Sequence, residues 1–291
     1  DITTNTIWDI NGSPYIIENN IFVDLGATLT IDPGVIVKFA NDVTVGVDGE
    51  INANGTSTNH VTITSDLALM GSYTGFVFID SVGNFQYTDI SYANTGIETL
   101  GGEMTIVNSS FTNNNEPTRI DFSTDFTHSG NSFSNNGYDN FILFGDALGQ
   151  DVHLTSGGMD SYYTFLDNLF VDPGATLTLD PGITIYPGGP TEIINNGSIQ
   201  AIGSASNPIN INLEVNFDSS SEISNLEYVN LNGNTSQIFV NNNTVNFKYV
   251  SVASGDIYFW DSSNSSVEDS DLDSLGIDDS TVNVKNIATL I

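Results

Sequence analysis

A thirteen-residue segment occurs twice in this chain. Residues 22–34 read FVDLGATLTIDPG and residues 170–182 read FVDPGATLTLDPG, so eleven of the thirteen positions are identical at an offset of 148 residues. The match continues downstream at the same offset as far as Ile63 and Ile211. The repeated residues are glycine, alanine, proline, threonine and aliphatic residues, which shape a backbone and a core. The repeat therefore indicates a tandem duplication of a scaffold.

Apolar and polar residues alternate within each copy. In the first copy the apolar positions are Ala27, Leu29, Ile31, Val35, Val37 and Phe39. A period of two with many β-branched residues predicts strands that bury one face. The segment Asp32-Pro33-Gly34 separates the two runs, and the second copy repeats it at 180–182. Because proline fixes φ and glycine adopts positive φ, this segment predicts a tight corner between strands.

A shorter period of about 20 residues lies inside each copy. Phe111 precedes Phe133 by 22 residues, and Leu226, Phe247 and Val267 begin similar stretches 21 and 20 residues apart. Short strands, corners rich in Asn and Gly, and this period predict a β-solenoid whose coils bury their apolar faces against each other. An immunoglobulin-like sandwich is the competing all-β fold, but it predicts hairpin-linked strands roughly 8–12 residues apart.

Three segments carry a resemblance to a known family. They are Trp8 with NGSPYIIENNIFVDLGATLTIDPGVIVKF, then GEINANGTSTNHVTITSD, then FQYTDISYANTGI. They resemble the secreted right-handed parallel β-helix proteins of the pectate-lyase-like superfamily, over about 90 residues of the first copy and about 50 of the second. The resemblance implies an all-β, right-handed parallel β-helix made of two tandem segments, 1–150 and 151–291. It does not select a function, because this superfamily includes lyases, hydrolases, adhesins and structural modules.

The charge of the chain excludes several classes of partner. It has 36 acidic residues, only four basic ones and a net charge of −32. Nucleic acids and anionic membranes are excluded, since both are bound by clustered Lys and Arg. No apolar run reaches the roughly 18 residues needed for membrane insertion, and the chain has no cysteine. The sequence begins directly with DITTNTIWDING, which is consistent with a mature secreted protein or an excised ectodomain, so we expect a secreted, extracellular or cell-surface location.

Three alternating aspartates are the candidate metal ligands. Asp269, Asp271 and Asp273 resemble a D-x-D-x-D calcium loop, in which hard carboxylate oxygens surround the ion. The glycine and distal glutamate of an EF-hand are missing, and alternate positions of a strand also form an ordinary solvated acidic ladder. The sequence favours the ladder, and a structural Ca²⁺ ion is the single cofactor that it suggests.

The family resemblance also bears on catalysis. Asp278 and Asp279 form a carboxylate pair of the kind used by β-helical glycosidases. The N-T-D, G-H-G and R-I-K segments of polygalacturonase-like enzymes are absent, and four basic residues cannot supply the cluster on which related lyases depend. His60, His128 and His153 are far apart in sequence. We therefore predict a protein without catalytic residues.

Asn-x-Ser/Thr sequons are candidate glycosylation sites on a surface protein. They begin at Asn11, Asn54, Asn108, Asn196, Asn234, Asn242 and Asn264. Most are also expected by chance in a chain so rich in Asn, Ser and Thr.

Aromatic residues recur at alternate strand positions. Examples are Phe76 and Phe78, Phe85 and Tyr87, Phe247 and Tyr249, and Tyr258 and Trp260. We expect most of these rings to stack in ladders inside the solenoid. The alternative is a platform of exposed Tyr and Trp that binds carbohydrate.

The last residues of the sequence predict self-association. The apolar positions in this segment are Val282, Val284, Ile287, Leu290 and Ile291. No amphipathic helix covers either terminal segment, and an open edge of a solenoid pairs with further strands, which predicts a head-to-tail homopolymer. The alternatives are flanks that continue into further domains, or a last strand that folds back as its own cap.

These observations predict a non-catalytic extracellular structural protein. It would be a subunit of a self-assembling surface layer, filament or adhesive stalk, and its partners would be copies of itself and cell-surface glycans. The alternative is a β-helical module that binds or degrades a neutral polysaccharide.

Overall fold

The computed structural model describes residues 1–233, 237–252, 256–262 and 264–289 of the chain. Asn234, Leu290 and Ile291, which belong to the predicted sites, lie outside these residues.

The chain divides into two compact units. Unit 1 comprises Asp1–Phe144 and Gly157–Asp160, and unit 2 comprises Gly145–Ser156 and Ser161–Ile291. The sequence predicts two duplicated segments, 1–150 and 151–291. The two compact units do not test where the duplication begins and ends, so these bounds stay a prediction.

Unit 1 is a parallel β-helix with three strands in each coil. In chain order its strands are β1 (Thr6–Trp8), β2 (Tyr15–Ile17), β3 (Ile21–Val23), β4 (Thr28–Ile31), β5 (Ile36–Phe39), β6 (Thr44–Val47), β7 (Glu50–Asn54), β8 (Val61–Ser65), β9 (Gly75–Ile79), β10 (Val82–Gln86), β11 (Thr88–Ser91), β12 (Thr95–Leu100), β13 (Glu103–Val107), β14 (Ser110–Thr112), β15 (Glu116–Asp121), β16 (Asp125–Ser129), β17 (Ser132–Ser134) and β18 (Phe141–Phe144). Every third strand pairs in parallel, which forms the sheets β1-β4-β7-β10-β13-β16, β2-β5-β8-β11-β14-β17 and β3-β6-β9-β12-β15-β18. Short 3₁₀ turns lie at Ile10–Gly12 and Gly158–Ser161.

Unit 2 repeats this architecture. Its strands are β19 (Ala147–Leu148), β20 (Val152–Leu154), β21 (Tyr162–Phe165), β22 (Leu169–Val171), β23 (Thr176–Leu179), β24 (Thr184–Pro187), β25 (Glu192–Asn195), β26 (Ser198–Ile202), β27 (Ile209–Ile211), β28 (Glu214–Phe217), β29 (Ile223–Glu227), β30 (Val229–Leu231), β31 (Gln237–Asn241), β32 (Thr244–Lys248), β33 (Ser251–Val252), β34 (Asp256–Trp260), β35 (Ser265–Glu268), β36 (Asp271–Leu272), β37 (Ser274–Asp278), β38 (Val282–Lys285) and β39 (Ala288–Thr289). Its sheets are β19-β22-β25-β28-β31-β34-β37, β20-β23-β26-β29-β32-β35-β38 and β21-β24-β27-β30-β33-β36-β39. The predicted all-β, right-handed parallel β-helix is confirmed.

The period read from the sequence is the coil of the β-helix. Phe111 and Phe133 are register partners on β14 and β17, and their rings stack with centroids 5.3 Å apart. Leu226, Phe247 and Val267 are consecutive register partners in unit 2 and are buried. Each coil thus adds one side chain to an apolar column, which removes that side chain from water.

The duplicated segment forms the same strand, corner and strand in both units. It runs from β3 into β4 in unit 1 and from β22 into β23 in unit 2. In the first copy the N–H of Val35 donates to the carbonyl of Asp32 over 3.2 Å, and Gly34 has a φ of 82°. The equivalent Gly182 has a φ of 89°. Both values are those of the third residue of a type II turn, as the sequence predicts.

A second kind of corner uses non-glycine residues with positive φ. Tyr87 and Asn108 in unit 1 have φ values of 45° and 50°, and Tyr228 and Tyr249 in unit 2 have values of 51° and 52°. Each donates its backbone N–H to a carbonyl of the next coil, over 3.0 Å for Tyr87 and 2.8 Å for Asn108. This conformation is unfavourable for a tyrosine, so hydrogen bonds between coils hold it in place.

A polar ladder is buried inside unit 1. The N–H of Thr88 donates to Ser109 Oγ over 3.1 Å, and the N–H of Ser109 donates to Asn131 Oδ1 over 2.9 Å. The N–H of Asn131 then donates to Asp160 Oδ2 over 3.1 Å, and its Nδ2 donates to Asp160 Oδ1 over 3.1 Å. His128 Nδ1 lies 3.6 Å from the same carboxylate. Asp160 therefore ends the ladder with charge-assisted hydrogen bonds.

Candidate binding groove

An open groove crosses one sheet of unit 2. Its volume is about 620 Å³. It is lined by Glu192, Ile194, Asn216, Asp218, Phe239, Val240, Asn241, Tyr258 and Trp260. These residues come from β25, β28 and β31, from β34 and from the corner after β28. The groove therefore runs across the strands, along the axis of the β-helix.

Strand alternation places the aromatic side chains of the groove outside. In β34, Ile257 and Phe259 are fully buried, whereas Tyr258 and Trp260 are 40% and 60% exposed. In β31, Phe239 is 45% exposed between two buried aliphatic neighbours. Because side chains alternate along a strand, one group of apolar side chains in β31 and β34 lies in the core and a second group is exposed to water.

The exposed rings form an aromatic strip on two neighbouring coils. Phe239 and Tyr258 are register partners, and their centroids lie 6.2 Å apart at an angle of 31°. Trp260 is the register partner of Asn241 on the same two strands. Contiguous exposed aromatic surface is uncommon on soluble proteins and marks a site of interaction.

Asn216 organises the polar wall of the groove. Its Nδ2 lies 3.2 Å from Glu192 Oε2 and 3.4 Å from Glu214 Oε1, and the N–H of Phe239 donates to its Oδ1 over 3.3 Å. The groove residues in the described part of the chain include no lysine or arginine. The groove thus offers aromatic faces, amides and carboxylate acceptors, a set suited to a hydroxyl-rich ligand of low charge.

The equivalent sheet of unit 1 has diverged. Phe22 corresponds to Phe170 of unit 2, and in unit 1 this sheet carries an ion pair instead of the aromatic strip. Arg119 Nε lies 3.7 Å from Glu98 Oε1, and its guanidinium carbon lies 4.7 Å from the centre of the Phe144 ring. The arginine therefore packs between a carboxylate and an aromatic face.

Glu98 has a perturbed acidity. Partial burial raises the pKa of its carboxyl above the ordinary value of 4.5, and the neighbouring Glu116 raises it further. Arg119 acts in the opposite direction but does not reverse the shift.

The expectation for the aromatic residues was correct in part. Phe76, Phe78, Phe85 and Phe247 are buried, as expected of interior ladders. The expectation was wrong for Tyr258 and Trp260, which face solvent because Ile257 and Phe259 occupy the inward positions of β34. Tyr249 is 38% exposed and stacks on Tyr228 at a corner, with centroids 4.5 Å apart.

The three candidate calcium ligands do not share one strand. Asp269 lies in the corner after β35 with a φ of 47°, and its Oδ1 accepts a hydrogen bond of 2.7 Å from Asn286. Asp271 begins β36 and Asp273 follows it, both exposed. In the described part of the chain, no group of three or more His, Asp or Glu side chains is arranged to hold a metal ion. Calcium binding stays a prediction.

The remaining acidic pair and the histidines occupy separate places. Asp278 ends β37 as the register partner of Trp260, and Asp279 is in the following corner with a φ of 45°. His60 Nδ1 lies 3.1 Å from Asp89, and His153 Nε2 lies 2.8 Å from Asp180.

The sequons lie at corners and strand ends. Asn11 is in a 3₁₀ turn, Asn54 ends β7, and Asn108, Asn196, Asn242 and Asn264 lie in the corners after β13, after β25, after β31 and before β35. Their glycosylation stays a prediction.

The described part of the self-association segment is exposed at several positions. Val282 and Val284 lie in β38 and Ile287 follows it. Val284 is 47% exposed, although its register partner Val267 is buried. Association through these residues stays a prediction.

Among the described residues, no helix combines the length and the hydropathy required to cross a membrane.

Comparison with known proteins supports the fold. Residues 1–138 match a family model described as a pectate-lyase-like beta helix domain. No curated protein and no solved structure matches the chain significantly. The match covers most of unit 1, and unit 2 has the same parallel coils. Residues 1–138 are thus similar to the pectate-lyase-like beta helix domain, and both units have the parallel β-helix fold.

Proposed function

We propose that this protein is a non-catalytic, extracellular module that binds a neutral polysaccharide in the groove of unit 2. The observation that carries the proposal is the strip formed by Phe239, Tyr258 and Trp260, flanked by amides and carboxylates. The C–H groups of a sugar ring pack on the electron-rich face of an aromatic ring, and its hydroxyls bind amides and carboxylates.

The orientation of the groove suits a chain that runs along the helix axis. Successive coils are about 4.8 Å apart. A linear polysaccharide that lies across β25, β28, β31 and β34 would therefore meet a new set of side chains at each coil. An extended polymer contacts every set at once, which favours it over a single sugar.

Charge supports a neutral ligand. Glu192 and Asp218 line the groove, and the chain carries a net charge of −32. An anionic polysaccharide would be repelled by the groove and by the molecule as a whole.

Binding to a panel of soluble neutral and acidic polysaccharides, measured by calorimetry, tests the proposal. Tyr258→Ala and Trp260→Ala should each weaken binding by at least about tenfold, because exposed aromatic anchors dominate such contacts. Phe22→Ala is the matched control, since Phe22 is 52% exposed but lies in unit 1. The proposal fails if no neutral polysaccharide binds, or if both groove variants bind like the wild type.

The absence of catalysis is tested on the same panel. Prolonged incubation should release neither reducing ends nor unsaturated products. Reproducible release that Asp278→Asn or Asp279→Asn abolishes would overturn this part of the proposal.

A structural role in a surface layer, filament or stalk is the second candidate. The exposure of Val284 and of Ile277, at 47% and 46%, favours it, since these side chains could pack against another copy. Val284→Asp should then reduce the assemblies seen by light scattering. Equal scattering from the variant and the wild type would count against this role.

A further inference from the structure

A column of alternating charges crosses a different sheet of unit 2. Glu227, Lys248, Glu268 and Lys285 are consecutive register partners at the ends of β29, β32, β35 and β38. Neighbouring members are about 4.8 Å apart, since each belongs to the next coil. The column thus reads minus, plus, minus, plus along the helix axis.

The column is accessible to solvent. Lys248 Nζ lies 3.0 Å from Glu227 Oε1, and these two side chains remain 43% and 32% exposed. Lys285 is exposed at the end of the column. A shallow depression of about 260 Å³ includes Glu227, Lys248 and Glu268 in its lining.

A polar ladder fixes the surface beside this column. Asn225 Nδ2 donates to Gln200 Oε1 over 2.9 Å, Asn246 Nδ2 donates to Asn225 Oδ1 over 2.9 Å, and Ser266 Oγ donates to Asn246 Oδ1 over 2.8 Å. These side chains are held in place before any partner arrives. A surface that is already ordered loses less conformational entropy when it is covered.

The column is unusual for so acidic a molecule. The chain has only four basic residues, and two of them, Lys248 and Lys285, lie here. The other two, Lys38 and Arg119, lie in unit 1 and contact Asp66 and Glu98. Two copies of a molecule with a net charge of −32 repel each other, and this column is a place where four charged residues sum to zero.

The order of charges is self-complementary. When the column is read in the opposite direction, each position carries the opposite charge. A two-fold axis perpendicular to the helix axis would therefore place Glu227 opposite Lys285 of a second copy, and Lys248 opposite Glu268 of that copy. We propose that this sheet of unit 2 is the contact surface of a symmetric lateral dimer, in which a second copy of the chain packs antiparallel on the alternating column.

The surface predicts a weak dimer. The proposed two-fold axis lies between β32 and β35, so the strands that overlap are β29, β32, β35 and β38, which have four or five residues each. The overlap spans roughly 14 Å by 16 Å and would bury about 250 Å² on each copy. This is less than the roughly 800 Å² per partner of a standard interface. Dimerisation should therefore depend on concentration over the micromolar range. It does not depend on the polysaccharide groove, which lies on another sheet.

Sedimentation velocity with charge-reversed variants tests the proposal. Lys248→Glu alone puts an acidic side chain opposite Glu268 twice in the dimer, and Glu268→Lys alone puts a basic side chain opposite Lys248 twice. Each variant should self-associate at least about tenfold more weakly than the wild type. An equimolar mixture of the two should dimerise again, because every opposed pair in the heterodimer is then of opposite sign. Lys38→Glu is the control, and it should dimerise like the wild type.

If dimerisation recovers in the equimolar mixture, the loss in each single variant came from the contact between copies and not from an effect on folding. If Lys248→Glu lowers the melting temperature by more than a few degrees, the pair Lys285→Glu and Glu227→Lys provides the same test at the other opposed position. The proposal is overturned if the wild type stays monomeric at several hundred micromolar, or if folded variants of both pairs fail to form heterodimers.

Discussion

The ring of Tyr258 occupies the space beside Gly276, its register partner on β37. A Cβ atom at position 276 would lie 2.5 Å from Cε1 of this ring. Glycine at this position lets the ring extend over the neighbouring strand, as aromatic residues do where they cover a glycine in a sheet. Unit 1 contains the same arrangement, since a Cβ at Gly46 would lie 2.6 Å from the ring of Phe22.

Gly276→Ala should weaken polysaccharide binding while the protein stays folded. The added methyl group displaces the Tyr258 ring, which is a movable side chain on the surface, and so changes the aromatic strip. We expect a loss of affinity of several-fold in calorimetry, with an unchanged circular dichroism spectrum. Gly46→Ala is the matched control, and it should bind like the wild type. Equal affinities of all three proteins would show that the ring position does not matter for binding.

Asp160→Ala should destabilise unit 1 by about 2–4 kcal/mol, because it leaves the buried N–H groups of Asn131 without their acceptor. Urea unfolding followed by circular dichroism measures this loss. Asp139→Ala is the comparison, since Asp139 ends a similar ladder by accepting from Asn136 N–H over 2.9 Å at an exposed position. It should cost less than about 1 kcal/mol. Similar losses in both variants would contradict a special role for the buried carboxylate.

Glu98→Gln should change the pH dependence of stability. Burial raises the pKa of Glu98 above 4.5, so the folded state binds its proton more tightly than the unfolded state. The stability that this proton contributes is fully present below the unfolded pKa and is lost as pH rises through the folded pKa. Glu98→Gln has no proton to release at this position, so the variant does not lose this stability as pH rises. The melting temperature of the variant relative to that of the wild type should therefore rise as pH increases from 4 to 7. A difference that is constant with pH, or that falls, would contradict this assignment.

Calcium should raise the melting temperature more than NaCl of equal ionic strength. The reason is the excess of 36 acidic over four basic residues, whose repulsion a divalent ion relieves more effectively. Asp271→Asn combined with Asp273→Asn should reduce the difference if this segment binds the ion. Identical melting temperatures in the two salts would exclude calcium binding.

The sequence predicted the coil better than the exposed surface. The sequence spacing of Phe111 and Phe133 correctly predicted that they are neighbours on successive coils. The coil length is a periodicity that a single sequence displays. The segment DIYFW of β34 is apolar on both faces, so alternation alone did not decide whether Ile257 and Phe259 or Tyr258 and Trp260 face the core. Gly276, 18 residues after Tyr258, was the available signal for an outward ring.

Contacts between distant segments could not be predicted from the sequence. His128 and Asp160 are 32 residues apart, and no periodic pattern joins them. Asp160 reaches the ladder from a 3₁₀ turn, and the position of such a turn depends on tertiary packing.

The corners with positive φ make the length of the β-helix adjustable. Tyr87 and Asn108 have the same backbone conformation, and each donates its N–H to the carbonyl that precedes the next corner. Removal of residues 87–107 would join Gln86 to Asn108 and take out one coil, while the remaining corners keep equivalent partners. Such corners are points at which whole coils can be inserted or deleted, so proteins of this kind can evolve to different lengths in steps of one turn.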